Sequence, residues 1–310
     1  MNDRLAVFNE HRSRLYGIAY RMLGTRADAE DMVQEAYVRW HRADIERLRA
    51  PEAWLVTATT RLCIDRLRAA RTEREAYVGP WLPEPITGTG SAPPADAESE
   101  LASDLSVAFL VVLERLAPEE RAAFLLHEVF DSGYADIAGI LGKSEATCRQ
   151  IVHRARQRVQ QDRPRFKVSE AARGRLLERF LEALRTEDRS ALLSLFAADA
   201  TWTSDGGGRA KAARKVMRSG ELVSRFALGI WRRYLKNQTH RLVMVNGQAG
   251  LVGFKGQQPS WVLTVETDGV RILSAYAVVN PDKLKGIATL DALPSDLSTL
   301  LEGDRPQPPT

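Results

Sequence analysis

Asp28, Asp31, Gln34 and Glu35 recur at intervals of three or four residues along DAEDMVQEAYVRW. On a helix this spacing stacks them on one face while Ala29, Val33, Ala36, Tyr37 and Trp40 line another. Such a face usually faces water, as charge runs do. Acid–base catalysis by paired carboxylates needs a cleft that excludes water, and nothing in this stretch predicts one. Arg61 to Arg74 carries five arginines against two acids, with Leu62, Ile64 and Leu67 free to pack inward, and such a strip can track a phosphate backbone. A third cluster, Arg149, Gln150, His153, Arg154, Arg156 and Gln157, lies outside an apolar stripe of Cys148, Ile151, Val152, Ala155 and Val159. His153 has no carboxylate at helical spacing that would suggest proton transfer. Asp205 and His240 are the remaining acid and base, but no complete set of acid, base and orienting group can be assembled around them. No catalytic residue is therefore assigned. Cys63 and Cys148 lack CxxC or CxxH spacing, so no metal site, disulfide framework or cofactor is expected.

The elements that must position these residues are legible from periodicity. Residues 4 to 72 are helical in pattern, broken clearly only at Gly24 and Pro51. From Thr72 to about Leu101 the pattern gives way to GPWLPEPITGTGSAPPADAESE, too polar and Pro-rich to bury much apolar surface, which reads as a linker. Helical periodicity returns from Leu101 to about Arg163, punctuated by Pro118, Gly133 and Gly142. Tyr134 to Ser144 has helix-turn-helix spacing, with Ser144 able to cap the second helix. After a further helix from Ala171 to Thr186, β-branched runs between Asn-Gly and Asp-Gly turns predict paired strands, hence an α+β domain. The net charge is only +4, from 44 basic and 40 acidic residues among 310, but the basic residues are clustered. A charged N-terminus and the lack of any stretch approaching 18 uncharged apolar residues predict a soluble, cytoplasmic protein that does not engage a membrane.

DAEDMVQEAYVRW followed by PEAWLVTATTRLCIDRLRAAR resembles domain 2 of the extracytoplasmic-function group of bacterial RNA polymerase sigma factors. LERLAPEERAAFLLHEVFDSGYADIAGILGKSEATCRQIVHRARQRV resembles sigma domain 4. The resemblance implies that Asp28, Asp31, Gln34 and Glu35 meet the clamp helices of the polymerase large subunit. It makes Arg47, Arg49, Asp65, Arg66 and Arg68 candidates for the −10 element, a role that suits arginine because it pairs with phosphate and stacks on unpaired bases. Thr147, Arg149, Gln150, His153 and Arg154 would read the −35 element from a recognition helix in the major groove. Trp40 and Trp54 sit on apolar faces and are read as core.

The region from Ala171 to Leu284 resembles SnoaL-like domains of the α+β cone class. The runs Trp81-Leu82-Pro83-Glu84-Pro85, Asp205-Gly206-Gly207-Gly208-Arg209 and Asn280-Pro281-Asp282-Lys283-Leu284 resemble those of a sigma subgroup with such an extension fused to it. Arg209 departs from the lysine usual there, which keeps the charge but alters its geometry. The expected organisation is sigma domain 2 at 1–72, a flexible linker at 73–103, sigma domain 4 at 104–166, the regulatory α+β domain at 170–285 and a tail at 286–310, mobile at its tip. The implied partners are core RNA polymerase, through its clamp helices and flap, and promoter DNA, with no dedicated anti-sigma factor. Cone domains usually enclose a pocket, which leaves room for a small-molecule ligand. Trp81, an aromatic in an otherwise polar linker, is expected to lead Trp81–Pro85 onto Asp205–Arg209. The alternatives are a plain glycine turn, a freestanding DNA-binding repressor, and an enzyme using Asp205.

Overall fold

A computed structural model describes residues 2–44, 50–87, 105–162 and 168–293, and the chain divides into two compact units. The first holds 1–76 and 109–163, and the second holds 77–88 and 164–310, with smaller pieces exchanged between them.

In the first unit, α1 (Asn2–Leu23), α2 (Arg26–Arg42) and α3 (Pro51–Glu75) pack on one another. Gly24, at φ 74°, ends α1, and the Thr25 side chain accepts from the Asp28 N–H to start α2. Pro51 opens α3, where its missing N–H costs nothing. The stripe Ala29, Val33, Ala36 and Trp40 is buried as expected of core, and the half-buried Trp54 ring meets that of Trp40 at 5.6 Å. Four shorter helices follow: α4 (Val107–Leu113), α5 (Pro118–Glu128), α6 (Tyr134–Leu141) and α7 (Glu145–Asp162). Gly142 takes the left-handed conformation at the end of α6, and Ser144 Oγ accepts from the Thr147 N–H as α7 begins. The expected stripe of Cys148, Ile151, Val152, Ala155 and Val159 is buried.

Within this unit α1 and α3 also pack on α5, and α3 on α6, and arginines join them. Arg121, buried, donates to the Met22 carbonyl at 2.5 Å and to Glu114 at 2.6 Å, and burial pushes its pKa down to about 9. Arg74 reaches the Leu23 carbonyl and Glu114. Arg61 donates to the carbonyls of Gly139 and Ile140 at 2.8 and 2.9 Å, satisfying the exposed C-terminal end of α6.

The second unit is α+β. α8 (Glu170–Arg185) and α9 (Arg189–Ser194) precede a six-stranded mixed sheet of β1 (Phe196–Asp205), β2 (Met217–Arg218), β3 (Thr239–Val245), β4 (Gln248–Lys255), β5 (Gln258–Thr267) and β6 (Ile272–Val278). Its order is β2-β1-β6-β5-β4-β3, with β1 and β6 parallel and the other pairs antiparallel. α10 (Gly220–Ile230) packs on β1, and one core runs from Leu177 and Phe180 through Trp202, Val223 and Trp231 to Leu263 and Ala275. The Asn246-Gly247 turn, with both φ values positive, closes the β3–β4 hairpin as its sequence predicts.

The linker expectation needs revision where it is described. α3 continues to Glu75, and residues 77–87 are docked rather than loose. Leu82 is fully buried and Pro83 and Pro85 are buried with it, so this short apolar run has found a surface within the second unit. The remainder of that linker and the tip of the tail lie outside the described residues.

Candidate nucleic-acid interface and linker dock

α7 presents Thr147, Arg149, Gln150, His153 and Arg154 on its exposed face. Arg149 pairs with Glu145 at 2.9 Å and lies 5.3 Å over the Tyr134 ring, which holds its guanidinium near the start of the helix. Arg154 makes no ion pair among the described residues, so its charge is open to a phosphate or a base edge. Arg156 is drawn back to Glu128, which raises its pKa.

The α2–α3 pair is more heavily engaged. Asp31 and Gln34 are exposed, and Glu35 is tied to Arg39 one turn on at 2.9 Å. Asp28 already holds Arg66 at 2.8 Å and accepts from the Thr25 hydroxyl at 2.7 Å. Arg66 also grips both oxygens of Glu73 at 3.1 Å, and these hydrogen bonds to Glu73 and then Asp28 push its pKa up. Two residues expected at separate interfaces, Asp28 and Arg66, thus clip α2 to α3. Asp65 is exposed, and Arg68 spans Asp65 at 3.2 Å and Glu119 at 2.7 Å. Glu119 is held below the usual carboxylate range, first by the Lys143 hydrogen bond at 3.1 Å and further by Arg68. Arg47 and Arg49 lie outside the described residues.

The densest polar constellation belongs to the second unit. Asp205, the last residue of β1, is fully buried. Its Oδ1 accepts from the Tyr77 hydroxyl at 2.6 Å, and its Oδ2 from the Leu82 N–H at 2.8 Å and from Lys283 Nζ at 2.7 Å. Lys283 Nζ also donates to the Leu82 carbonyl at 2.5 Å and sits 4.0 Å from the centre of the Trp81 ring. Asn280 Nδ2 donates to the Tyr77 oxygen at 2.9 Å, and its Oδ1 accepts from the Asp282 N–H, starting the short turn opened by Pro281. Burial and the hydrogen bond to Asp205 push the Tyr77 pKa up, keeping it a donor.

Gly206 lets its own loop turn tightly, and Gly207 and Gly208 let the linker segment approach it. A Cβ on Gly206 would lie 2.4 Å from the Ala210 carbonyl, and one on Gly207 would lie 2.2 Å from Asn280 Nδ2 and 2.7 Å from the Tyr77 hydroxyl. Gly208 faces Val78. Arg209 pairs with exposed Asp282 at 3.1 Å, and Lys285 joins it. Farther on, Ile86 exchanges hydrogen bonds with Asn246 at 2.8 and 3.0 Å, and Thr87 bridges to Val245.

Residues 81–83, Asp205–Arg209 and Asn280–Asp282 thus lie together in the second unit, with the Trp81–Leu82 segment on Asp205 and Lys283. Tyr77 and Lys283 were missed as members of the site. Tyr77 carries the signal of an aromatic just before Gly79-Pro80-Trp81, and Lys283 stands inside the NPDKL run. Asp205 and His240 are not brought together: three strands separate β1 from β3, and every Asp205 oxygen has a donor. His240 instead lies between Trp231 and Trp261, at 4.9 and 5.6 Å, where burial lowers its pKa to about 4.

Comparison with known proteins points one way. Residues 7–73 match Sigma-70 region 2 and residues 106–159 match Sigma-70 region 4. The extracytoplasmic-function RNA polymerase sigma factor SigJ of Mycobacterium tuberculosis is 37% identical over 90% of this chain and 92% of its own. The probable sigma factor SigI of the same organism is 32% identical over 94% and 96%. The crystal structure of Mycobacterium tuberculosis SigJ covers 91% of this chain and 98% of its own, with a TM-score of 0.72 at 35% identity.

Proposed function

Because the chain belongs to the extracytoplasmic-function RNA polymerase sigma factors, we propose that its α+β domain modulates promoter use in cis by holding residues 77–87. Sigma factors of this family direct core RNA polymerase to specific promoters and act by binding rather than by turnover. In this reading Asp31, Gln34 and Glu35 meet the clamp helices, Asp65 and Arg68 meet the −10 element, and α7 reads the −35 element. Domain 4 meets the flap. Asp28 and Arg66 hold that surface in shape. The Arg68–Glu119 pair is half exposed and worth at most about 1 kcal/mol, so a phosphate can displace it.

The observation that carries the proposal is the buried Asp205–Lys283 pair closed over Leu82. Fixing 77–87 removes eleven residues from the segment between the two DNA-reading domains, a contour of roughly 36–40 Å at full extension. Its capture or release resets how far domain 4 can stand from domain 2, and no separate anti-sigma factor is required. The test is run-off transcription with core polymerase, comparing the full chain with Trp81→Ala, alongside solution scattering of both. Altered promoter output with altered domain spacing is expected. Unchanged transcription at unchanged spacing sinks the proposal.

A further inference from the structure

The loop that follows β1 carries charge of one sign. Between Asp205 and Glu221 the chain has five cations, Arg209, Lys211, Arg214, Lys215 and Arg218, and no carboxylate. All five are exposed. Arg209 is paired with Asp282 at 3.1 Å, whereas the other four make no ion pair among the described residues.

Three of these cations, Arg209, Lys211 and Arg214, line a pocket of about 330 Å³ whose other lining from the loop is glycine and alanine. No carboxylate lines it. Uncompensated positive charge in a concavity concentrates anions, and small residues leave the backbone within reach of a ligand. Arginine offers a planar fork to two phosphate oxygens, and lysine adds a point charge beside it.

The pocket's other wall is the linker, through Val78 and Gly79. Linker and loop meet closely there. A Cβ on Gly208 would lie 3.3 Å from that of Val78, and one on Gly79, at a φ of 84°, would lie 3.7 Å from the Arg214 Cα. The Ala213 N–H ties the loop back to β1 by donating to Ser204 Oγ at 3.1 Å. The pocket is therefore complete only while the linker sits on the α+β domain, held by Asp205 and Lys283 a few residues away.

We propose that this pocket binds a small phosphorylated molecule carrying at least two negative charges, and that its binding locks the linker onto the α+β domain. A ligand that needs both walls binds the docked state and not the released one, so it stabilises docking by mass action. Any consequence for promoter use rests on the linker-capture reading above; binding and locking do not.

The test uses the folded full chain in metal-free buffer with inorganic pyrophosphate as the probe, followed by titration calorimetry. One saturable site is expected. Lys211→Glu and Arg214→Glu, both at exposed positions, should each weaken it at least about tenfold, whereas Lys255→Glu, at the end of β4, should leave it unchanged. Asp205→Asn, which loosens the linker wall, should weaken it as well. Hydrogen exchange at the Leu82 amide should slow by the factor 1 + [L]/Kd, about elevenfold at ten times Kd. Sulfate at matched ionic strength should not reproduce that protection. Absence of a saturable site, binding indifferent to both charge reversals, or equal protection by sulfate overturns the site. Displacement of pyrophosphate by a DNA duplex of unrelated sequence would assign the pocket to nucleic-acid phosphates and overturn the small ligand. Binding with unaltered Leu82 exchange overturns the locking. Transcription by Asp205→Asn without pyrophosphate tests the capture reading separately.

Discussion

Asp205→Asn is the most informative single change, because it keeps the shape of the side chain and removes only its charge. Lys283 Nζ, its side chain 9% exposed, then sits beside a neutral amide, still near the Leu82 carbonyl and the Trp81 and Tyr77 rings but without a carboxylate at Asp205. Whichever way the amide is turned, at least one of the donors now facing Asp205, from Tyr77, Leu82 or Lys283, loses its acceptor or meets another donor. Breaking a buried pair from one side costs about 3–5 kcal/mol. If that cost falls on the docked state, the opening equilibrium of 77–87 rises by about two to four orders of magnitude, at 1.36 kcal/mol per decade. Hydrogen exchange at the Leu82 amide reads this directly, because that N–H donates to the mutated carboxylate. A urea melt separates local release from loss of the domain. Adding Lys283→Met to Asp205→Asn removes the stranded charge, so the double variant should recover much of the protection. Leu82 exchange within tenfold of wild type in Asp205→Asn would refute the view that this pair holds the linker.

Gly207→Ala should lower the melting temperature and release the linker, since its Cβ would strike Asn280 and Tyr77 at a φ of 56° that favours glycine; unchanged melting and unchanged Leu82 exchange would argue against that packing. Arg154→Ala should weaken promoter binding by the polymerase complex several-fold and reduce the slope of log affinity against log salt by about 0.9, read by titration at several salt concentrations. Arg66→Ala, by contrast, should lower thermal stability, because its contacts are to Asp28 and Glu73 rather than to solvent. Protonation of His240 is disfavoured by its burial and by Arg185, so its folded pKa lies at about 4 against an ordinary value of 6.5. The unfolded chain then binds the extra proton between these values, and stability contributed by neutral His240 is full above pH 6.5 and falls as pH drops toward 4. Urea midpoints should show this loss in the wild type and less of it in His240→Phe.

The helical half was legible because its signals are local. Gly24, Pro51, Gly142 and Ser144 punctuate it as backbone chemistry requires, and the Cys148–Val159 stripe buries as its spacing dictates. The hairpin at Asn246-Gly247 was legible for the same reason. What escaped depends on residues far apart in sequence. Arg121 looks like a surface arginine until the Met22 carbonyl and Glu114 close around it. Asp28 reads as part of a docking face, yet its position three residues after Thr25 and opposite Arg66 gives it a structural occupation. The parallel pairing of β1 with β6 follows from no local pattern. The segment 77–87 looks unable to bury itself because composition counts only its own residues, whereas Leu82 is sheltered by a surface made more than a hundred residues later.

The most direct test of cis control is run-off transcription by core RNA polymerase with the full chain, its Asp205→Asn variant and the Asp205→Asn/Lys283→Met variant on one promoter. Output that changes in the single variant and returns toward wild type in the double variant is the predicted result. Equal output from all three, with Leu82 exchange showing the linker released in the single variant, would contradict it.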